Sequence, residues 1–270
     1  MPSHKVLAPG SMLRLRTLML ALVVGVAALH PGNATAAPKP LSAEEVYSLG
    51  LKFLRNRAYT KALEQFNRVR TFYRDDPYSL KAELAIADIH YQKTEWVEAR
   101  LGYEDFMRAH PRYPELDLVI YRLGLVIFKD APTVPDRDQT MTRRTVSTWA
   151  GFSARFPESQ HRTEVEKLLA KAQDRLARKE LRIAEFYARR ESWPSVVGRI
   201  EPMMRTWPES SVRGESLVLY GKALHRMGND DAARAVLDSL KTAPGDAQRA
   251  GQLERELARP MKKSAALPTG

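Results

Sequence analysis

The side chains that could carry chemistry in this chain of 270 residues are few and scattered. Cysteine is absent, which excludes disulfides, zinc–thiolate sites and thiol nucleophiles. The six histidines stand singly, and no two are three or four residues apart, so no helical turn offers a pair of them as metal ligands. Asp130, Asp136 and Asp138 share one segment, but it lacks the glycine and the closing glutamate of a calcium loop.

Other catalytic signatures are also missing. The Gly-Phe-Ser sequence at 151–153 lacks the second glycine of a serine elbow, and the chain contains neither a phosphate loop nor a dinucleotide fingerprint. We therefore expect no catalytic residues, no metal and no cofactor, and a protein that acts by binding.

The first 36 residues have the parts of a secretory signal. Basic residues come first, an apolar run follows from Leu18 to Leu29, and Ala34-Thr35-Ala36 places small side chains at the cleavage positions. The apolar run is about half of the roughly 20 residues that a membrane span needs. We therefore expect residues 1–36 to be a signal peptide, starting at Met1 or Met12, and the protein to be exported.

The chain is basic, with a formal net charge of +11 at pH 7. Such a charge can attract anionic lipid, nucleic acid or acidic protein, or can simply give a soluble basic surface. No run of basic residues is interleaved with aromatics in the manner of a nucleic-acid groove. An exported protein rarely meets nucleic acid, so we expect no nucleic-acid partner.

The pattern from Leu41 to about Leu257 is helical. In one stretch, Val165, Leu168 and Ala172 follow the spacing of three and four residues that marks one helix face. Sustained alternation of β-branched and polar residues, which marks strands, is absent. Short breaks between the helical stretches indicate paired helices, and paired helices call for a search for repeats.

The chain contains a repeat of tetratricopeptide type, with a small residue in the first helix of each unit and, in most units, alanine in the second. Aromatic residues such as Phe66, Tyr103 and Trp149 fill the space between helix pairs, and a proline closes the unit. The sequence therefore predicts an all-α tetratricopeptide-repeat solenoid of about five helix pairs. The predicted packing residues are Gly50, Ala62, Ala87, Ala99, Gly124, Ala184, Gly221 and Ala233.

Two units are irregular. The third contains an insertion that includes residues 131–138, and a long helix from about Ser159 leads into the fourth. We divide the chain into a linker at 37–41, N-terminal repeats at 42–158, C-terminal repeats at 159–258 and a disordered tail at 259–270.

The irregular features carry a more specific resemblance. The segment RLARKELRIAEFYARRESWPSVVGRIEPMMRTWPES, from Arg175 to Ser210, resembles the signature of the BamD (ComL) family. Pro77-Tyr78-Ser79 and Asp136-Arg137-Asp138-Gln139-Thr140 are similar to that family as well, and the resemblance extends over residues 42–245.

The resemblance implies a periplasmic subunit of the machine that assembles β-barrels at the bacterial outer membrane. Its C-terminal repeats would dock on a POTRA domain of a BamA-like barrel protein and on companion lipoproteins, with Arg199 and Glu201 in the docking region. Its N-terminal repeats would bind unfolded outer membrane barrel proteins. Members of the family are typically anchored by an acylated cysteine, which this chain lacks, so we expect either peripheral attachment through the partner or a soluble periplasmic relative.

The first helices of tetratricopeptide units line the concave face, which predicts a groove. Counting from each small residue places Tyr47, Leu51, Leu54, Asp88, Tyr91, Tyr121, Leu125 and Phe128 on that face, with Arg55, Lys81 and Lys129 near it. Such a surface suits an extended peptide that ends in an aromatic residue and a free carboxylate. The competing interpretation is that several of these side chains only pack against the neighbouring repeat.

Two other functions compete with barrel assembly. One is a different periplasmic tetratricopeptide adaptor that coordinates cell-envelope or cell-wall assembly. The other is a repeat-containing envelope enzyme, which the absence of a catalytic constellation disfavours.

Overall fold

The computed structural model describes residues 40–259, and within that range the chain forms helices and turns but no strand. The helices are α1 (Ala43–Arg55), α2 (Tyr59–Phe72), α3 (Pro77–Gln92), α4 (Trp96–Ala109), α5 (Leu116–Asp130), α6 (Thr140–Trp149), α7 (Phe152–Arg155), α8 (Arg162–Arg189), α9 (Trp193–Thr206), α10 (Arg213–Arg226), α11 (Asp230–Thr242) and α12 (Ala247–Leu257). None of the helices described is both long enough and apolar enough to cross a membrane. The predicted signal peptide lies outside the described residues, as do most of the linker and of the tail.

Five helix pairs follow one another along the chain. They are α1 with α2, α3 with α4, α5 with α6, α8 with α9, and α10 with α11. The second helix of each pair also packs against the first helix of the next pair, and α12 covers α10 and α11 at the end. The prediction of an all-α tetratricopeptide-repeat solenoid of about five pairs is confirmed, as is the long helix before the fourth unit, since α8 has 28 residues.

The turn inside a helix pair is the same in four of the five units. In each of these turns one residue has a positive φ, and it lies seven residues after the small residue of the unit, as Arg57 lies after Gly50. The four residues are Arg57, Thr94, Glu191 and Gly228. The next residue donates its N–H to a carbonyl five residues earlier, as Ala58 does to Phe53 at 2.9 Å and Asn229 to Leu224 at 2.9 Å. This is the Schellman pattern that ends a helix through a left-handed residue.

The third unit departs from this turn. The equivalent residue is Ala131, which is extended, with φ of −69° and ψ of 133°. The insertion follows at once and folds around Gln139, whose side chain is fully buried. Gln139 donates through Nε2 to the carbonyl of Val134 at 2.9 Å and accepts from the hydroxyl of Thr142 at 2.6 Å. The insertion is therefore held in place by the buried hydrogen bonds of Gln139.

Small residues lie where the helices approach most closely. A Cβ added at Gly50 would come within 2.6 Å of the Phe66 ring, and one at Gly124 would overlap the indole of Trp149. Ala87 faces Gly102, a glycine that the sequence analysis did not single out. The side chains of Ala62, Ala99, Ala184 and Ala233 are fully buried.

Two details differ from the expectations. The atoms nearest to a Cβ added at Gly221 belong to Leu253 of the terminal helix α12, which packs on α10 as a next first helix would. The proline after the first unit, Pro77, was expected to close that unit but instead begins α3, where its missing N–H has no cost. Asp76 caps α3 by accepting from the N–H of Tyr78 at 2.9 Å.

The close approach at Gly124 predicts that Gly124→Ala destabilises the protein. Trp149 is fully buried and cannot move aside, so we expect a loss of about 2 kcal/mol in the free energy of unfolding, typical of overpacking. Gly198→Ala is the matched control, since Gly198 also lies inside a helix but a Cβ there meets nothing within 4 Å. The control should gain about 0.5–1 kcal/mol. Urea unfolding of both variants measures the difference, and equal stabilities would contradict the packing role of Gly124.

The repeated turn predicts that Thr94→Gly stabilises the protein. A β-branched residue pays about 1–2 kcal/mol in the left-handed region, whereas the added flexibility of glycine in the unfolded chain costs about 0.4–1 kcal/mol. We expect a net gain of about 0.5–1 kcal/mol, and the reverse change, Gly228→Thr, should lose at least as much. Thermal unfolding of the two variants tests both signs, and the same sign in both would contradict the argument.

Candidate functional site

The tyrosines predicted to line the groove are half-buried and touch other rings. The Tyr47 ring lies 5.3 Å from the rings of Phe66 and Tyr78, measured between centroids. Tyr91 stands edge-on to Trp96 at 5.5 Å. Tyr47 thus contacts its own helix pair and the next one, Tyr91 contacts its own pair, and both rings keep an accessible part.

Tyr121 has a different neighbour. Its ring stacks on the imidazole of His161, with centroids 4.4 Å apart and planes within 8° of parallel. His161 is the residue just before α8, so this stack joins the third unit to the start of the long helix. Tyr121 remains half-buried, like Tyr47 and Tyr91.

A charged centre lies among these tyrosines. Asp88 of α3 accepts a short hydrogen bond from the hydroxyl of Tyr103 and a second from Nη1 of Arg122, at 2.8 Å. Burial raises the pKa of Asp88, and the charge of Arg122 and the bond from Tyr103 act against that rise. Burial also raises the pKa of Tyr103 far above its ordinary value, with the charge of Asp88 adding to it. Tyr103 therefore stays a neutral donor.

Arg122 is the shared neighbour of the groove tyrosines. Burial raises the pKa of Tyr47, Tyr113 and Tyr121, and in each case the positive charge of Arg122 opposes the rise. The guanidinium is thus within electrostatic reach of tyrosines from α1, from the turn before α5 and from α5 itself. It keeps a third of its side chain accessible, at 31%.

Arg122, Tyr113 and Tyr78 were missed by the sequence analysis. Counting from the small residues selected positions three before, one after and four after them, and Arg122 stands two before Gly124. The sequence did contain an indication of the contact between Asp88 and Arg122, because these opposite charges lie near the small residues of two successive first helices. Tyr78 carries Lys81 above its ring, with Nζ at 4.7 Å from the centroid, so this predicted cation does lie beside an aromatic of the same face.

The apolar groove candidates divide into two groups. Leu51, Leu54 and Leu125 are half-buried at the edges of the core clusters. Phe128 is only 9% exposed, and the guanidinium of Arg175 lies 4.1 Å above its ring. Phe128 is therefore a packing residue closed to a ligand, which corrects its place in the predicted groove, because α8 covers the end of α5.

The two residues predicted for partner docking do not share one site. Arg199 and Glu201 are two residues apart on α9 and turn to different neighbours. Arg199 pairs with Glu180 of α8, with Nη1 3.4 Å from Oε2, and stays exposed. Glu201 accepts from the hydroxyl of Tyr220 on α10 at 2.5 Å, and burial together with this bond raises the pKa of Tyr220 to about 12.

Arg199 borders an open cavity of about 280 Å³. Its lining includes Glu180, Pro202 and the half-buried Trp207. Pro202 stands inside α9 and has no N–H to donate to the carbonyl of Gly198, so that acceptor lacks its helical partner. The surface thus has a guanidinium, an indole and a carbonyl without its usual helical donor among the residues that line one cavity.

Metal chemistry has no support in the described part of the chain. No group of three or more histidine, cysteine or acidic side chains within residues 40–259 could hold a metal ion.

The curated relatives and the family model that match this chain both refer to the outer membrane in their names. Proteins named "Outer membrane protein assembly factor BamD" are similar to the chain along most of its length. The one from Neisseria meningitidis serogroup A is 23% identical over 74% of this chain and 79% of its own. The one from Pasteurella multocida is 28% identical over 73% of this chain and 81% of its own.

Among solved structures, the chain is similar to the TPR2AB-domain:pHSP90-complex of yeast Sti1. The alignment covers 80% of this chain and 96% of that one, at 15% identity. The TM-score of 0.39 is too low for this likeness to support any argument about the fold. The model of the YfiO family, described as "Outer membrane lipoprotein", matches residues 40–239. The chain therefore belongs to the YfiO outer membrane lipoprotein family.

Proposed function

We propose that this protein is a periplasmic scaffold subunit of outer membrane β-barrel assembly, which acts by binding and not by catalysis. Family membership and relatives named as outer membrane protein assembly factors support the process. The single observation that carries the binding role is the face built by α1, α3, α5 and the turn before α5, where half-buried tyrosines lie within electrostatic reach of Arg122.

The N-terminal repeats would bind the C-terminal segment of an unfolded barrel protein. An aromatic last residue can pack between Tyr91 and Tyr121, because both rings keep an accessible part. The terminal carboxylate can reach a guanidinium at Arg122, which already shares its charge with Asp88. Tyrosine hydroxyls whose pKa is raised by burial remain neutral and can donate to the same carboxylate.

The C-terminal repeats would dock on the POTRA domains of a BamA-like barrel protein and on companion lipoproteins. Arg199 is the better contact of the two candidates, since it is exposed and borders a cavity. Glu201 would support this surface indirectly, because its bond to Tyr220 ties the fourth pair to the fifth. We place the protein in the periplasm, held peripherally at the outer membrane through these partners.

The groove predicts that Tyr91→Ala and Tyr121→Ala each weaken binding of a peptide taken from the C-terminal strand of an outer membrane barrel. Removal of a central aromatic contact costs about 1–2 kcal/mol, so we expect the dissociation constant to rise about 5- to 30-fold. Fluorescence anisotropy with a labelled peptide measures the change. The same peptide with an amidated C-terminus should bind the unaltered protein more weakly, because it has no carboxylate.

Phe72→Ala is the matched control, since Phe72 is an aromatic residue 75% exposed on the second helix of the first unit. It should leave the affinity unchanged. Circular dichroism melts must show that the tyrosine variants are folded. Unchanged affinity in both tyrosine variants would exclude the groove.

The docking surface predicts that Arg199→Ala reduces capture of a purified POTRA domain of the BamA-like partner about tenfold or more, as loss of an interface arginine does. Stability should change by less than about 1 kcal/mol, because the pair with Glu180 is exposed. Glu180→Gln removes the same ion pair but keeps the guanidinium, so it should preserve capture. Equal losses in the two variants would mean that only the ion pair matters and would exclude Arg199 as the contact.

A further inference from the structure

The two irregular features of the repeat, the insertion in the third unit and the long helix α8, meet and line a cavity. Lys179 donates from Nζ to the carbonyl of Arg137 at 3.1 Å, and Nε of Arg182 lies 3.8 Å from Oδ1 of Asp136. The cavity between them is open to solvent and has a volume of about 400 Å³. Regular tetratricopeptide packing needs neither feature, so the cavity is an addition to the solenoid.

The cavity has an apolar wall. Phe186 of α8 is 42% exposed, which is unusual for a ring of its size, and Ile183 and Pro135 line the same space. The guanidinium of Arg190 stacks on the Phe186 ring at 3.7 Å from its centroid. The cation therefore covers one face of the ring, and the rest of the Phe186 side chain remains accessible as the apolar wall.

The cavity also carries an excess of positive charge. Lys179, Arg182 and Arg189 line it, against a single carboxylate from Asp136. Arg182 divides its charge between Asp136 and Glu185, which lies at 3.2 Å. Arg189 forms no hydrogen bond or ion pair with any residue in the described range 40–259, so one guanidinium of the cavity is available to a ligand.

We propose that this cavity is a docking site for an acidic segment of a partner protein that carries an apolar anchor. The anchor would lie on Phe186 and Ile183, while carboxylates would pair with Arg189 and Arg182, whose planar forks match carboxylate geometry. An acidic polypeptide fits better than a membrane surface, because a concave site with an apolar wall is closed to a planar array of headgroups. The site shares no lining residue with the cavity beside Arg199, so it goes beyond the proposed function.

The test uses the full chain and a fluorescein-labelled synthetic peptide in which phenylalanines alternate with aspartates and glutamates. Arg189→Glu should weaken binding about tenfold in fluorescence anisotropy, as charge reversal at a carboxylate contact does. Arg68→Glu is the matched control, because Arg68 is exposed on α2 and the change in charge is the same. It should stay within about twofold of the unaltered protein. Asp136→Asn should strengthen binding, since it removes the one carboxylate of the lining.

Four outcomes would overturn the proposal. The unaltered chain could fail to bind the peptide, or could bind equally well a version with lysines in place of the acidic residues. Arg189→Glu and Arg68→Glu could weaken binding equally, which would mean attraction by net charge alone. Finally, binding that depends on Arg189 could be found only with phosphatidylglycerol vesicles, which would assign the cavity to anionic lipid.

Discussion

The fold depends on backbones that approach one another at residues without a bulky side chain. At Gly124 the indole of Trp149 lies directly on the helix backbone, and the same occurs between Gly50 and the Phe66 ring. Trp149 and Phe66 are fully buried as a result. Because each helix pair of a solenoid buries its second face only against the next pair, a gap at one of these contacts would separate neighbouring units.

The same nesting creates the surfaces that we propose as binding sites. Asp88 and Arg122 belong to different units and are 34 residues apart in sequence, yet they meet because the first helices stack in register. The third unit interrupts this regularity, since Ala131 does not adopt the left-handed turn found in the other four units. The interruption produces the insertion, and the insertion in turn builds a wall of the cavity beside α8.

Sequence patterns predicted contacts within a unit better than contacts between units. The small residues, the helix pairs and the long α8 followed from spacing, because these contacts join residues close in sequence. Three contacts could not be predicted from the spacing. They are the contact of Gly221 with Leu253, the covering of Phe128 by Arg175, and the position of Arg122 among the tyrosines. Each depends on how far one unit is rotated on the next, which no single repeat encodes. Even so, opposite charges at Asp88 and Arg122 could have indicated one of these contacts.

The internal pairing of Arg122 has a consequence for any ligand with a carboxylate. Such a ligand must compete with Asp88, which accepts from Arg122 at 2.8 Å, so its carboxylate adds less affinity than it would at a guanidinium without an internal partner. Most of the binding free energy must then come from an aromatic ring placed among the tyrosines. Burial keeps the pKa of Tyr91 and Tyr121 raised, so their hydroxyls stay neutral and do not repel the carboxylate. If the proposed peptide binds here, its affinity would therefore depend mainly on the aromatic contact, and the peptide could be released without separating a strong ion pair.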